Sequence, residues 1–296
     1  MAAFRQRGLQ PLKHVPGLGL IATSIRTLAP LRLYRPSTCE QVAHILQNEE
    51  VPPTVLAGGT DLCAKFNDGL MPRSLVALDR IDALRQIERV DGEIRIGSAV
   101  THAAGRADHL LNRQLGGFAQ AWGAIANARI RFRATIGGNI MALHPRYEMP
   151  VILDALGAAL SFRVAERSVR LSSDAVWRSE APPRSLLEYI AIPLENDVVE
   201  FRYDRSLRPT MTLAVCVRSG KNGIEPRAAI ATELLRPVAL RFPTISSHQD
   251  LLSESLASAA AATLPDDYTD GNTTNWYLRR AATSLLRRRL KDVGRV

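Results

Sequence analysis

Only three cysteines stand in 296 residues, Cys39, Cys63 and Cys216, and no two form a CxxC pair. An odd, scattered set encodes neither a disulfide framework nor a zinc or iron–sulfur ligand set. It fits a reducing compartment, so a cytoplasmic chain is expected. His14, His44, His102, His109, His144 and His248 show no HExxH or comparable spacing, so no metal site is expected and each reads as a surface or core histidine. Aromatic residues make up only 5%, where a nucleic-acid surface would interleave them with a basic face. No apolar run is long enough to cross a bilayer. The GxGxxG fingerprint and the GxxxxGK[ST] loop are both missing, which removes generic Rossmann and P-loop readings. No catalytic triad is evident, and no catalytic residue is assigned.

What is present is the balance of an ordinary globular protein, 46% apolar and 23% charged, which argues against disorder over most of the length. The formal charge of +9 belongs to the ends. Residues 1–35 carry Arg5, Arg7, Lys13, Arg26, Arg32 and Arg35 with no acidic group, and residues 276–296 carry seven basic groups against Asp292. The middle is slightly acidic. The basic C-terminal stretch "YLRRAATSLLRRRLK" reads first as a solvated helix face whose charge suits the helix dipole. The sharper expectation is a docking surface for an acidic partner. Residues 1–30 hold "VPGLGLIATSI" behind three basic groups, which resembles a weak signal or transit sequence. Pro16, Gly17 and Gly19 interrupt it, so an unstructured leader is expected there.

Order is expected from near Leu31. "YRPSTCEQVAHIL" reads as a strand, a turn at Pro36 and a helix capped by Ser37 or Thr38, with Glu40 or Gln41 completing a capping box. "TVLAGG" and "SLVALDRI" read as buried strands, "DALRQI" as a short turn or helix, and "EIRIGSAVT" as a strand entered through the Asp91-Gly92 hairpin signal. Residues 103–128 and "MPVILDAL" read as helices. "LSFRV" and "RSVRL" pair as a hairpin, and "SLLEYIAIPLE" is a strand. Two strands surround Asn222-Gly223, and "SSHQDLLSESLASAAAATL" and "NTTNWYLRRAATSLLRRRL" are amphipathic helices. The order argues for an α+β fold with a boundary near 205.

Two Gly-Gly elements close apolar segments: Ala57, Gly58, Gly59, Thr60 and Asp61, then Thr135, Ile136, Gly137, Gly138 and Asn139. Glycine permits positive φ and lets a ligand approach the main chain. Consecutive turn amides make an anion-binding concavity, for which a diphosphate is the obvious occupant. Thr60 and Asp61 would add a hydroxyl and a ribose-directed carboxylate. Thr135 and Asn139 would donate to a second polar region of the same ligand. A single such turn is usually only a turn. Two matching ones favour a dinucleotide without settling it.

The blocks "LAGGTDLCAKFNDGLMPRSLVALDRIDALRQI", "IRIGSAVTH" and "ARIRFRATIGGNIMALHPRYEMPVILDALGAAL" resemble the FAD-binding subunit of the molybdenum hydroxylases, of the xanthine dehydrogenase and carbon monoxide dehydrogenase type. AGGTD followed by ATIGGN is specific to that family, and the resemblance covers about residues 31–295, more weakly toward the end. It implies a two-subdomain FAD-binding fold of the PCMH type over 31–205, then a small β-sheet plus helix C-terminal domain over 206–296. It implies FAD, with residues 57–61 around the pyrophosphate and 135–139 against the ribityl chain and flavin. It also implies cofactor contacts from Glu148, where the family has Asp, and from Tyr203, where it often has Lys; Arg202 or Arg205 could take the lysine's place. Arg129 stands where Gln is common. Electrons would come from a molybdopterin-binding large subunit through a [2Fe-2S] small subunit, and leave to NAD+ or another acceptor. Two other readings stay open, a stand-alone flavin oxidoreductase and a scaffold subunit without FAD.

Overall fold

The computed structural model describes residues 31–293, apart from 71, 195–196, 209, 221–222 and 244. The expected leader and Asn222 of the Asn-Gly turn lie outside the described residues.

The first layer is a small parallel sheet with Ser74–Ala77 between Arg32–Tyr34 and Thr54–Leu56. Its central strand is buried along its whole length, as a parallel strand covered on both faces must be. Helix Cys39–Asn48 starts as its sequence says: Thr38 accepts from the Gln41 N–H, and the Gln41 side chain reaches back to the Ser37 N–H at 2.8 Å. Val42 and Leu46 bury its apolar stripe.

The second layer is a five-stranded antiparallel sheet in the order Ile87–Val90, Glu93–Gly97, Leu186–Pro193, Ala159–Val164, Arg167–Ser172. Asp91 and Gly92 both take positive φ, the geometry of the tight hairpin their sequence announces. Between Glu93–Gly97 and Ala159–Val164 the chain leaves the sheet for a string of helices that carries the second glycine pair. The last of these, Met149–Leu156, has seven of its eight residues buried. A helix apolar on all sides belongs inside.

The third layer is an antiparallel sheet in the order Val238–Leu240, Gly223–Ala231, Met211–Gly220, Asp197–Leu207. Strand periodicity splits it. Met211, Leu213, Val215 and Val217 join the cluster of the C-terminal helices, and Ala214 and Cys216 join the cluster of helix Met149–Leu156. Strand Asp197–Leu207 lies in this sheet and runs across position 205. The stretch read as one helix from Ser246 onward is two pieces, a 3-10 turn His248–Leu252 and helix Glu254–Ala262, separated by extended Ser253.

Helix Asn275–Val293 packs Leu278, Ala282, Leu286 and Leu290 inward. Three arginines of its basic face are paired within the chain. Arg288 and Arg289 both grip Asp204, whose side chain is fully buried, and Arg287 meets Glu254 at 3.0 Å. These arginines thus serve as counter-ions of this chain's own carboxylates. Burial by itself raises the Asp204 pKa, but hydrogen bonds from Ser206 and the two guanidiniums outweigh it and hold the group at about 2. A depressed carboxylate stabilises the fold above its unfolded value, and that stability is lost as pH falls toward about 2. Replacing Arg288 and Arg289 together by alanine leaves the carboxylate buried without a counter-ion, held only by Ser206. The expected loss is about 3–5 kcal/mol in urea unfolding at neutral pH.

Asp154 is the one charged residue on helix Met149–Leu156, and its Oδ2 has no hydrogen-bond partner. Burial, with the nearby Asp174 charge, pushes its pKa up to about 7. The folded chain thus keeps this proton over a pH range in which the unfolded chain has released it, and stability falls as pH rises from about 4 to about 7. Asp154→Asn should flatten that fall, read as melting temperature against pH.

Candidate functional site

Both glycine elements line one cleft of about 960 Å³. Ala57, Gly58, Gly59, Thr60 and Asp61 form one wall; Thr135, Gly137, Gly138 and Asn139 form another. Ile136 is fully buried behind its loop and belongs to the core. The two loops touch through main chain: a Cβ on Gly58 would lie 2.0 Å from the Arg133 carbonyl oxygen. Gly59 has φ +76°, a conformation that favours glycine.

The loops are not equivalent. Gly59 is the N-cap of helix Thr60–Asn67, and without a side chain it cannot cap. The first-turn N–H groups and the positive end of that helix are left for a ligand. The second loop spends its donors internally. Ile136 N–H donates to Val100 O, Gly137 to Ser98 O, Gly138 to Thr135 Oγ1 and Asn139 to Thr135 O. Thr135 lines the cleft, and its Oγ1 accepts from Gly138 N–H to cap the helix beginning at Ile136; accepting that bond uses a lone pair and leaves the hydroxyl its O–H donor. What this wall offers is two buried polar atoms without partners, Ser98 Oγ and Asn139 Oδ1.

Asp61, expected to reach a ribose, is held within the chain. It accepts from Tyr147 Oη at 2.8 Å and pairs with Lys65 at 2.7 Å. Burial, then the Asp61 carboxylate, pushes the Tyr147 phenol up to about 12, so it stays a donor. His144 stacks on Tyr147 with ring centroids 4.9 Å apart, a buttress and not a ligand to the cleft. Glu148 does line the cleft, but it accepts from Tyr203 Oη at 2.5 Å and pairs with Arg208 and, at 3.7 Å, with Arg205. Tyr203 is not among the cleft residues. Burial and the Glu148 charge raise its pKa, and it stands behind Glu148 as an anchor. Arg202 pairs with Glu200 away from the cleft, whereas Arg205 lines it. Cys63 is exposed.

Sequence reasoning missed Arg208, Glu233, Tyr147, Ser98 and the use of His102. Arg208 bridges Glu148 and Glu233, and Arg146 meets Glu233 at 3.3 Å. His102 lines the cleft and accepts from Trp122 Nε1 at 2.6 Å on Nδ1, which fixes its proton on Nε2. Burial, then Arg131, lowers its pKa to about 4, so the ring stays neutral. The cleft lining carries four basic side chains, Lys65, Arg146, Arg205 and Arg208, against three acidic ones, Asp61, Glu148 and Glu233. Among the described residues no group of His, Cys, Asp and Glu is arranged to hold a metal ion.

Residues 29–195, more than half of the chain, match the family model described as the FAD binding domain in molybdopterin dehydrogenase. The chain belongs to that family. It is therefore an FAD-binding oxidoreductase subunit. It is 25% identical over 218 residues to the caffeine dehydrogenase subunit beta of Pseudomonas sp. (strain CBB1), covering 70% of this chain and 74% of that one. Its fold is similar to a chain of the reconstituted CO dehydrogenase from Oligotropha carboxidovorans, with TM-score 0.75 at 21% identity over 91% of this chain and 99% of that one. A chain of quinoline 2-oxidoreductase from Pseudomonas putida 86 is similar over the same shares, with TM-score 0.74 at 17% identity. At these identities the two structures speak for the fold alone.

The residues fit FAD. The uncapped helix with its surplus of basic charge suits a diphosphate, and the partnerless Ser98 and Asn139 atoms await a neutral, hydrogen-bonding segment. Tyr147→Phe removes the bond that ties the first loop to residues 144–148. The expected result is FAD binding about tenfold weaker with Lys65 still paired, measured by quenching of flavin fluorescence.

Proposed function

We propose that the chain is the FAD-binding electron-transfer subunit of a heteromeric molybdenum hydroxylase. It would take electrons from the [2Fe-2S] clusters of a small subunit, fed by a molybdopterin-binding large subunit, and pass them to NAD+ or another acceptor in the cytoplasm. The observation that carries this reading is the convergence of a capless helix N-terminus and a second loop with partnerless polar atoms on one open cleft. What FAD supplies when bound is exchange between one-electron and two-electron carriers. The chain's own residues bind it, orient it and keep charge balanced around it.

Two features weigh against the stand-alone oxidoreductase. The cleft's carboxylates, Asp61, Glu148 and Glu233, are all paired with cations or phenols, and His102 is neutral with Nδ1 taken. Neither leaves a poised base for substrate chemistry. Against the empty scaffold stands the cleft itself, which no side chain fills. A partner face is better sought beside the second loop than on the C-terminal helix. Residues 109–147 contain no acidic side chain, and Phe132, 72% exposed, stands between Arg131 and Arg133.

The test is titration of the purified chain with FAD, followed by chemical reduction and mixing with NAD+ under anaerobic conditions. One FAD per chain and recovery of the oxidised flavin spectrum are expected. Failure to take up FAD would leave the scaffold reading; uptake without reoxidation by NAD+ would move the acceptor elsewhere.

A further inference from the structure

One group beside the second loop has no task in the fold. Ser98 is 3% exposed, lines the cleft, and its hydroxyl has no partner. Its backbone is fully engaged: the N–H donates to Glu188 O at 2.8 Å, and the carbonyl accepts from Gly137 N–H at 2.9 Å. Gly137 presses on it so closely that a Cβ there would meet Ser98 Cβ and O at 2.7 Å. The hydroxyl is thus held on a rigid support at the end of strand Glu93–Gly97, and leaving it unpaired costs the free fold stability.

The chemistry around it selects what it can bind. The N–H groups of residues 136–139 are all spent within the chain, so a diphosphate gains nothing from main chain here. The other unpaired atom on the same wall, Asn139 Oδ1, is an acceptor and repels an anion. A hydroxyl that both donates and accepts, on the same wall as an oxygen that accepts, is matched by a polyol. Resting on the FAD reading above, we propose that Ser98 Oγ binds a hydroxyl of the ribityl chain and is a binding residue for the flavin half of the cofactor.

The test compares the wild-type chain with Ser98→Ala and Ser98→Cys, each without ligand and titrated with FAD. Without ligand, Ser98→Ala should melt at the same temperature as wild type or higher, because an unpaired buried hydroxyl has been removed. With FAD, both variants should bind about three- to tenfold more weakly, since cysteine keeps the bulk and loses most of the hydrogen bond. Wild-type affinity in Ser98→Ala would overturn the proposal, as would wild-type affinity in Ser98→Cys, which would assign the serine to packing. A fall in the ligand-free melting temperature of Ser98→Ala would overturn it too. If the wild-type chain itself takes no FAD, the failure lies with the reading of the site; if it does, only Ser98 is at issue.

Discussion

Main chain packed against main chain sets the geometry of this protein. Gly58 lies against the Arg133 carbonyl and Gly137 against Ser98, with distances that leave no room for a Cβ on either glycine. The first contact brings the small parallel sheet, which delivers the first loop, onto the helices inserted between Glu93–Gly97 and Ala159–Val164, which deliver the second; the second contact seats those helices on the end of strand Glu93–Gly97. Arg184, just ahead of strand Leu186–Pro193, ties the five-stranded sheet to the first layer by donating to the carbonyls of Gln47, Glu49 and Glu50 at the end of helix Cys39–Asn48. The cleft is what remains between two units forced this close on one side. Its shape follows from where side chains are absent.

From that arrangement comes a division of labour. A glycine cap leaves one helix end open, and a threonine cap closes the other. The first loop can therefore attract negative charge through its amides, while the second presents a surface whose amides are silent. The carboxylates at the rim are kept off the ligand by partners of their own, Tyr147 and Lys65 on Asp61, Tyr203 and Arg208 on Glu148. Without those partners, acidic groups beside a diphosphate site would repel it.

Much of the fold was legible in the sequence. The Asp91-Gly92 hairpin, the Thr38 cap and the buried runs are local signals, and local signals survive into the structure because each satisfies its own backbone. The glycine pairs were legible for the same reason, since only a special backbone or a close approach explains two in a row. The surroundings were not. Nothing in spacing ties Tyr147 to Asp61 or Arg208 to Glu148; folding alone joins them. Ser98 sits in "IRIGSAVTH", where a serine among apolar neighbours gives no sign that its hydroxyl will be stranded against a glycine. The internal capping by Thr135 could be read from its place before a helix.

Charge is where sequence and structure part most clearly. A run of arginines reads as a face because its partners are far away in the chain, and Asp204 lies 84 and 85 positions from the two guanidiniums that hold it. A carboxylate with no solvent of its own must keep its cations or leave the interior. Those arginines are thus committed to the fold, and a partner that depends on positive charge must look to arginines without such a debt. Arg129 and Arg133 fit that description better than Arg288 and Arg289: they are exposed, they flank the exposed Phe132 segment, and they adjoin the cleft through Ile130 and Ala134. On the proposed reading an electron-donating partner would sit beside the cofactor, so the position of the cleft and the position of the uncommitted charge point to the same side of the molecule.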